Sequence, residues 1–370
     1  MDRLQRLYAD YGQSVWLDYI DRNLLTRGGL ESLVAAGLRG ITSNPTIFHH
    51  ALTASADYDD DIRDLLAADP EMDDRALYEW LVVRDIRDAA DLLAPVYEES
   101  EGTDGFVSLE VDPNLAHRHG ATVTEARHLW QAVDRPNLMI KVPGTQAGIP
   151  AIEALVADGV NVNVTLLFSV ARYREVQAAY LNGVALNDAP RNVASVASFF
   201  LSRIDAQVDR ALEDLGSPGA LALRGRAALA CARLAYQAFK ADVASDRFAL
   251  HQRRGARYQR PLWASTTPKG SAYAPLHYVE QLVGGDTVVT VVPDILDAMQ
   301  AQAVTHASLD TGVEQAERDL EALQSLGVNL SQVAQVLEDE GVQRFVDSQR
   351  SLFDALARKR EALAPRRAHA

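Results

Sequence analysis

The sequence predicts an α/β protein built as a single (β/α)8 barrel with extra helices, among them a C-terminal helix near the barrel mouth. Three observations predict it. Eight short apolar stretches alternate with helix-like segments along the chain, the pattern of parallel βαβ units. Most of these stretches put a polar or ionisable residue on one face near the C-terminal end, where strands buried on both sides should read as continuous apolar runs. No linker divides the 370 residues, and no internal repeat is visible. The expected organisation is therefore one domain over residues 1–363 with a frayed basic tail at 364–370. An open doubly wound sheet is the alternative, but neither a dinucleotide glycine fingerprint nor a P-loop follows any strand.

The elements follow in order. Residues 1–13 read as an entry helix, 14–20 (SVWLDYI) as the first strand, and 23–37 as a helical segment punctuated by Gly28, Gly29 and Gly37. GITSNPTIF, residues 40–48, is a second strand ending at Pro45, followed by a long helical excursion over 49–100. GFVSLEV, residues 105–111, is the third strand and stops at Asp112 and Pro113. Thr122 and Glu125 have the spacing of a capping box opening the next helix. The fourth strand, 138–145, ends at Pro143 and Gly144; a helix over 147–158 and a fifth strand, 160–168, come next. A helix over 169–182 and a polar loop at 186–192 lead to a sixth strand, 194–201. Two helices fill 203–250 with a break at 216–219. Residues 260–266 and 288–292 are the last strands, and helices cover 294–304, 311–325 and 330–363, the last broken near Gly341.

Composition bounds the function. With 48% hydrophobic and 24% charged residues the chain suits one large α/β barrel or two ordinary domains. No stretch is long and apolar enough to span a membrane, and the first residues lead into no apolar signal core, so a cytoplasmic protein is expected. Cys231 is the single cysteine, which excludes an intramolecular disulfide or a thiolate metal cluster. The net charge of −15 argues against nucleic acid or an anionic membrane as partner, while an anionic substrate would need a locally basic pocket.

The chemistry is read from strand parity. In the fourth strand Leu138, Ile140 and Val142 share one face, Met139 and Lys141 the other. A lysine there is costly to bury as an ammonium, and burial favours the neutral amine that makes a Schiff base with a carbonyl. Alone, Lys141 also fits an edge strand facing solvent. The other strands repeat the pattern in phase: Asp18 beside Trp16, Asn44 beside Thr42, Glu110 beside Ser108, Thr165 with Asn161 and Asn163, Ser198 with Phe200, and Ser265 with Trp263. All would open on the C-terminal mouth, where barrel enzymes keep their sites. Lys141 could form an imine, Glu110 and Asp18 could move protons, Asn44 and Asn163 could orient hydroxyls, and Thr165 could hold a water. That equipment suits making or breaking a carbon–carbon bond next to a ketone.

GITSNPTIF (40–48) and LMIKVPGTQAGIPAI (138–152) resemble the two signature motifs of the transaldolase family. The segments WLDYI around Asp18, SLEVDP around Glu110, NVNVTLLFS around Asn163 and Thr165, and SFFLSRID around Ser198 and Arg203 resemble the same family in the same order. The resemblance implies a class I enzyme of the non-oxidative pentose phosphate pathway, needing neither metal nor cofactor. It implies that Lys141 attacks C2 of sedoheptulose 7-phosphate, the C3–C4 bond breaks, erythrose 4-phosphate leaves, and the retained dihydroxyacetone unit adds to glyceraldehyde 3-phosphate to give fructose 6-phosphate. Asp18 would take and return the C4-hydroxyl proton. Glu110, through a water held by Thr165, would serve carbinolamine formation and breakdown. Asn44 and Asn163 would hold the dihydroxyacetone hydroxyls, Ser198 and Phe200 would line the pocket, and Arg203 and Ser265 would bind phosphate.

One position departs from the family. Many members carry a second phosphate-binding arginine two residues beyond the serine of the seventh strand; here that residue is Thr267, and the next cation is Lys269. Lys269 is expected to replace the arginine as a point charge without a bidentate fork. Two other readings compete: a fructose 6-phosphate aldolase that releases free dihydroxyacetone, and a catalytically silent barrel used as a scaffold. Chain length and Glu110 favour the first reading over the lyase. The sequence leaves monomer and homodimer open. His117 and His119 lack companion ligands and read as loop residues; His49 and His50, near the mouth, are lesser candidates for substrate contact; Cys231 reads as a small buried hydrophobe.

Overall fold

The computed structural model of the protein describes residues 2–269, 273–302 and 306–363. The tail expected at 364–370 and the last two residues of the helix expected at 294–304 lie outside them. The chain runs α1 (Arg3–Tyr11), β1 (Gln13–Asp18), α2 (Arg22–Thr26), α3 (Gly29–Ala35), β2 (Gly40–Thr42), α4 (Pro45–Ala54), α5 (Asp59–Ala68), α6 (Asp74–Glu99) and β3 (Phe106–Glu110). It continues through α7 (His119–Val133), β4 (Leu138–Pro143), α8 (Gly148–Ala157), β5 (Val162–Leu167), α9 (Val170–Leu186), β6 (Ser195–Phe200) and α10 (Ser202–Leu215). The last third holds α11 (Pro218–Leu221), α12 (Ala227–Val243), α13 (Asp246–Gln252), β7 (Arg260–Ala264), α14 (His277–Gln281), β8 (Thr287–Val291), α15 (Pro293–Ala301), α16 (Val313–Ser325) and α17 (Leu330–Leu363). Strands β1 to β8 pair in sequence order, all parallel, and β8 closes on β1. This is the expected TIM barrel.

Residues facing the helices are the apolar alternates. Val15, Leu17, Ile41, Val107, Leu109, Leu138, Ile140, Val142, Val162 and Val164 are all at most 3% exposed. Inside, the lower end of the barrel is closed by a polar plug centred on Asp104, which is 1% exposed. Trp16 Nε1 donates to Asp104 Oδ1 at 2.8 Å, Arg39 Nε donates to Oδ2 at 2.8 Å, Arg260 lies 3.7 Å away, and the Ser14 hydroxyl also donates to it. Both Asp104 oxygens are paired in this buried plug, which ties the N-terminal ends of β1 and β7 to the loop before β3.

Several boundaries differ from expectation, each for a local reason. The second strand ends at Thr42, because Asn44 caps a helix that begins at Pro45: its side-chain oxygen accepts from Ile47 N at 3.1 Å. The excursion over 49–100 is three helices, and 203–250 holds four helical segments rather than two. Gly28, with φ +75°, splits the segment expected at 23–37. Thr122 and Glu125 do not form a capping box. The helix already begins at His119, the Thr122 hydroxyl donates to Leu115 O at 2.8 Å, and Glu125 pairs with Arg75 at 3.0 Å. The C-terminal helix α17 is unbroken over 34 residues. Gly341 marks a close approach instead: a Cβ there would stand 2.8 Å from Leu166 Cδ2 and 3.5 Å from Arg203 Nη1.

α17 crosses the barrel mouth and is tied down along its length. Glu338 pairs with Arg172 at 3.6 Å, Ser348 shares a hydrogen bond with Thr46 at 2.8 Å, and Gln349 accepts from Asn114 at 2.8 Å. Lys359 donates to Asp59 and to Ser55 O, each at 2.7 Å.

The loop after β4 is packed to the atom. A Cβ on Gly148 would lie 2.0 Å from the Pro143 carbonyl oxygen, a backbone atom that cannot swing aside. Gly148→Ala is therefore expected to destabilise the fold by about 3 kcal/mol, read as a lower urea midpoint; a variant within about 0.5 kcal/mol of the parent would show that this loop yields easily.

Candidate active site

The mouth encloses a cavity of about 290 Å³, near the lower end of the range for small-ligand sites. It is lined by Asp18, Asn44, Lys141, Thr165, Ser198, Phe200, Arg203, Ser265 and Lys269, together with Thr42, Thr46, Ile47, Thr267, Thr290 and Phe345. Nine of the eleven residues singled out in the sequence thus meet in one place. The remaining two, Glu110 and Asn163, sit beside Lys141 but are not among the lining residues.

Register explains the grouping. Glu110 pairs with Lys141 across β3–β4, and Lys141 with Asn163 across β4–β5, so the three side chains leave neighbouring strands at one level and on one face. Lys141 is 5% exposed. Its Nζ donates to Ser43 O at 3.0 Å and lies 3.5 Å from Glu110 Oε2. The Phe345 ring of α17 covers it, with the ring centre 5.9 Å from Nζ. Burial pushes the Glu110 carboxyl up to about 7; the adjacent Lys141 works against that shift and Asp18 adds to it. Neither Glu110 oxygen nor the buried Thr165 hydroxyl has a protein hydrogen-bond partner. A carboxyl poised near neutrality beside a buried amine can take and return protons.

Asp18 accepts from the Thr42 hydroxyl at 2.7 Å at the edge of the cavity. Asn44 spends its side-chain oxygen on the α4 cap, leaving its amide nitrogen for the cavity. Asn163 is fully buried and fully engaged: it donates to Ser108 Oγ at 3.0 Å and accepts from Ser198 Oγ at 2.7 Å. It forms the floor that holds Ser198.

Ser265 reaches the cavity by a route that parity did not foresee. On β7 the inward residues are Leu262 and Ala264, while Trp263 packs outward against Phe199 with ring centres 6.4 Å apart. Ser265 follows the strand with φ +54°, and that left-handed turn swings it back to the mouth, where its hydroxyl meets Ser202 Oγ at 2.9 Å. Sharing a face with Trp263 is therefore not what puts Ser265 in the site. Arg203 rises from the first turn of α10 and leans over the Phe200 ring at 5.5 Å. Its buried Nη1 has no hydrogen-bond partner, and burial, then nearby Arg344, lowers the guanidinium's pKa. Partial burial, with Arg203 and Arg344, lowers Lys269 as well. Two cations and the N-terminus of α10 thus converge at one end of the cavity, an arrangement suited to an anion.

The sequence reading missed Ser43, which acts through its backbone carbonyl, and Thr290, an inward residue in an otherwise valine-rich strand. His49 and His50 do not line the cavity; they ride on α4, where His50 is exposed and partial burial lowers the pKa of His49. Cys231 is buried in α12, and burial pushes its thiol up to about 12.

Residues 15–356 match the family described as Transaldolase/Fructose-6-phosphate aldolase. A transaldolase of Mycolicibacterium smegmatis is 45% identical over 351 residues, covering 93% of this chain and 94% of that one. A transaldolase of Thermobifida fusca is 46% identical over 362 residues, covering 96% and 98%. A transaldolase of Thiobacillus denitrificans is 46% identical over 347 residues, covering 92% and 96%.

Proposed function

The chain belongs to the transaldolase/fructose-6-phosphate aldolase family and works as a transaldolase, a transferase, and from that premise we propose that Lys141 is its Schiff-base nucleophile. The observation that carries the reading is the buried Lys141 amine 3.5 Å from a Glu110 carboxyl pushed up to about 7, at the base of a polar cavity. The lyase alternative is not favoured, since these relatives bear the transaldolase name along nearly their whole length.

In this reading Lys141 Nζ adds to the C2 ketone of the donor sugar phosphate. The nitrogen, starting as the ammonium, gives up two protons in turn, and Glu110 relays each to the former ketone oxygen, which departs as water and leaves the protonated imine. Asp18, oriented by Thr42, removes the C4-hydroxyl proton. The C3–C4 electron pair flows into the imine, the aldose departs, and the dihydroxyacetone unit stays bound as an enamine. An incoming aldehyde re-forms the bond, Asp18 returns its proton to the new hydroxyl, and water, activated by Glu110 and held by Thr165, hydrolyses the imine. Asn44 and Ser198 hold the hydroxyls of the retained unit, Asn163 fixes Ser198 from below, and Phe200 bounds the pocket. The donor is sedoheptulose 7-phosphate and the acceptor glyceraldehyde 3-phosphate, giving erythrose 4-phosphate and fructose 6-phosphate. Among the described residues no helix is long and apolar enough to cross a membrane; we read the protein as cytoplasmic, a monomer or homodimer acting on sugar phosphates.

Arg203, Ser265 and Lys269 take the phosphate, with Lys269 supplying the second charge where Thr267 stands. Lys269→Ala is expected to raise KM for fructose 6-phosphate by about fivefold with little change in kcat, measured in steady-state assays with erythrose 4-phosphate as acceptor. An unchanged KM would remove Lys269 from the site.

A further inference from the structure

The C-terminal helix carries a further cation, Arg344, close enough to act electrostatically on Arg203 and Lys269, although Arg344 is not itself among the lining residues of the cavity. Gly341 lies against Arg203, with its added Cβ only 3.5 Å from Nη1. Phe345, four residues on, lines the cavity and covers Lys141. Arg344 lies between them, one turn beyond Gly341. Its Nη2 donates to Glu340 Oε2 at 3.1 Å, an exposed pair four residues apart on the helix surface. Arg344 bears electrostatically on both Arg203 and Lys269, while Glu340 bears on Arg203 with the opposite sign.

We propose that Arg344 is a third ligand of the substrate phosphate, held by Glu340 until the phosphate draws it over, so that α17 reads the phosphate from across the mouth. This rests on the reading that Arg203, Ser265 and Lys269 form the phosphate site. Three cations close together repel one another, and a phosphate, close to a dianion at neutral pH, offsets that repulsion better than one carboxylate can. An exposed helical pair is weak, so Glu340 gives Arg344 up at small cost. Lys269 brings charge without a planar fork, and Arg344 adds a guanidinium able to grip two phosphate oxygens, supplied from a different element. Contact between α17 and the phosphate would also favour phosphorylated over unphosphorylated sugars.

The test uses inorganic phosphate as a competitive inhibitor of the full-length enzyme, with fructose 6-phosphate and fructose as alternative donors. Arg344→Ala is expected to raise both the phosphate inhibition constant and KM for fructose 6-phosphate about fivefold. It should leave kcat within about twofold and turnover of fructose unchanged; Arg344→Lys should fall between. Glu340→Gln, which frees Arg344, should strengthen phosphate inhibition. If Arg344→Ala leaves both constants at their parent values while Arg203→Ala raises them, Arg344 is a solvated partner of Glu340 and the proposal fails with the phosphate site intact. If Arg203→Ala also changes nothing, the phosphate-site reading itself falls. An equal loss with fructose and fructose 6-phosphate would mean that α17 has merely shifted, and would also overturn the proposal.

Discussion

Lys141→Arg is expected to lower kcat for transaldol transfer on the order of 10⁴-fold or more. A guanidinium keeps its charge and has no free amine to add to a ketone, so the covalent path closes while a cation remains beside Glu110. The site is tight, with Lys141 5% exposed beneath Phe345, and arginine brings more volume. Lys141→Met, closer in shape and uncharged, is the second variant; its lost partner is tolerable because Glu110 can be protonated. Direct binding of inorganic phosphate, measured by titration calorimetry, should persist in both variants, showing that the mouth of the barrel is formed. Retention of even a tenth of the parent rate by either variant would contradict an imine on Lys141.

Glu110→Gln is expected to lower kcat by roughly 10²- to 10⁴-fold and to change the pH profile. Burial pushes the Glu110 carboxyl up to about 7, against the pull of Lys141. As pH rises through that value the carboxylate becomes able to take the proton that the amine sheds. As pH falls through it the carboxyl is already protonated and cannot. The parent enzyme should therefore lose kcat/KM on the acid side with an apparent midpoint near 7. Glutamine cannot titrate, so that limb should be absent from the variant, while Glu110→Asp should keep the limb at reduced rate. A Gln variant with the same acid limb as the parent would take Glu110 out of the proton path.

Much of this site is legible because a closed parallel barrel leaves polar residues few places to go. Asp18, Glu110, Lys141, Thr165 and Ser198 occupy inward positions at strand ends, and period-two alternation exposes them. Alternation fails where the backbone leaves the strand. Ser265 turns inward through a left-handed φ, and Asn44 is both a cavity residue and a helix cap. It is also blind to use: Asn163 points inward as expected, yet both ends of its amide are taken by Ser108 and Ser198. Contacts made by backbone atoms leave no mark on residue type, and so the Ser43 carbonyl that holds Lys141 went unseen. Long-range closure is likewise hidden. Gly341 looks like a helix break until Leu166 and Arg203 are found pressed against it, from far earlier in the chain. The plug at Asp104 lies in a loop, outside any strand whose pattern could announce it.

The most direct measurement is borohydride trapping with fructose 6-phosphate, followed by intact mass and peptide mapping. The account predicts a reduced dihydroxyacetone adduct on the peptide carrying Lys141, which would establish the imine and the cleaved C3–C4 bond together. A folded protein that gives no adduct, or one that carries it on another lysine, would contradict it.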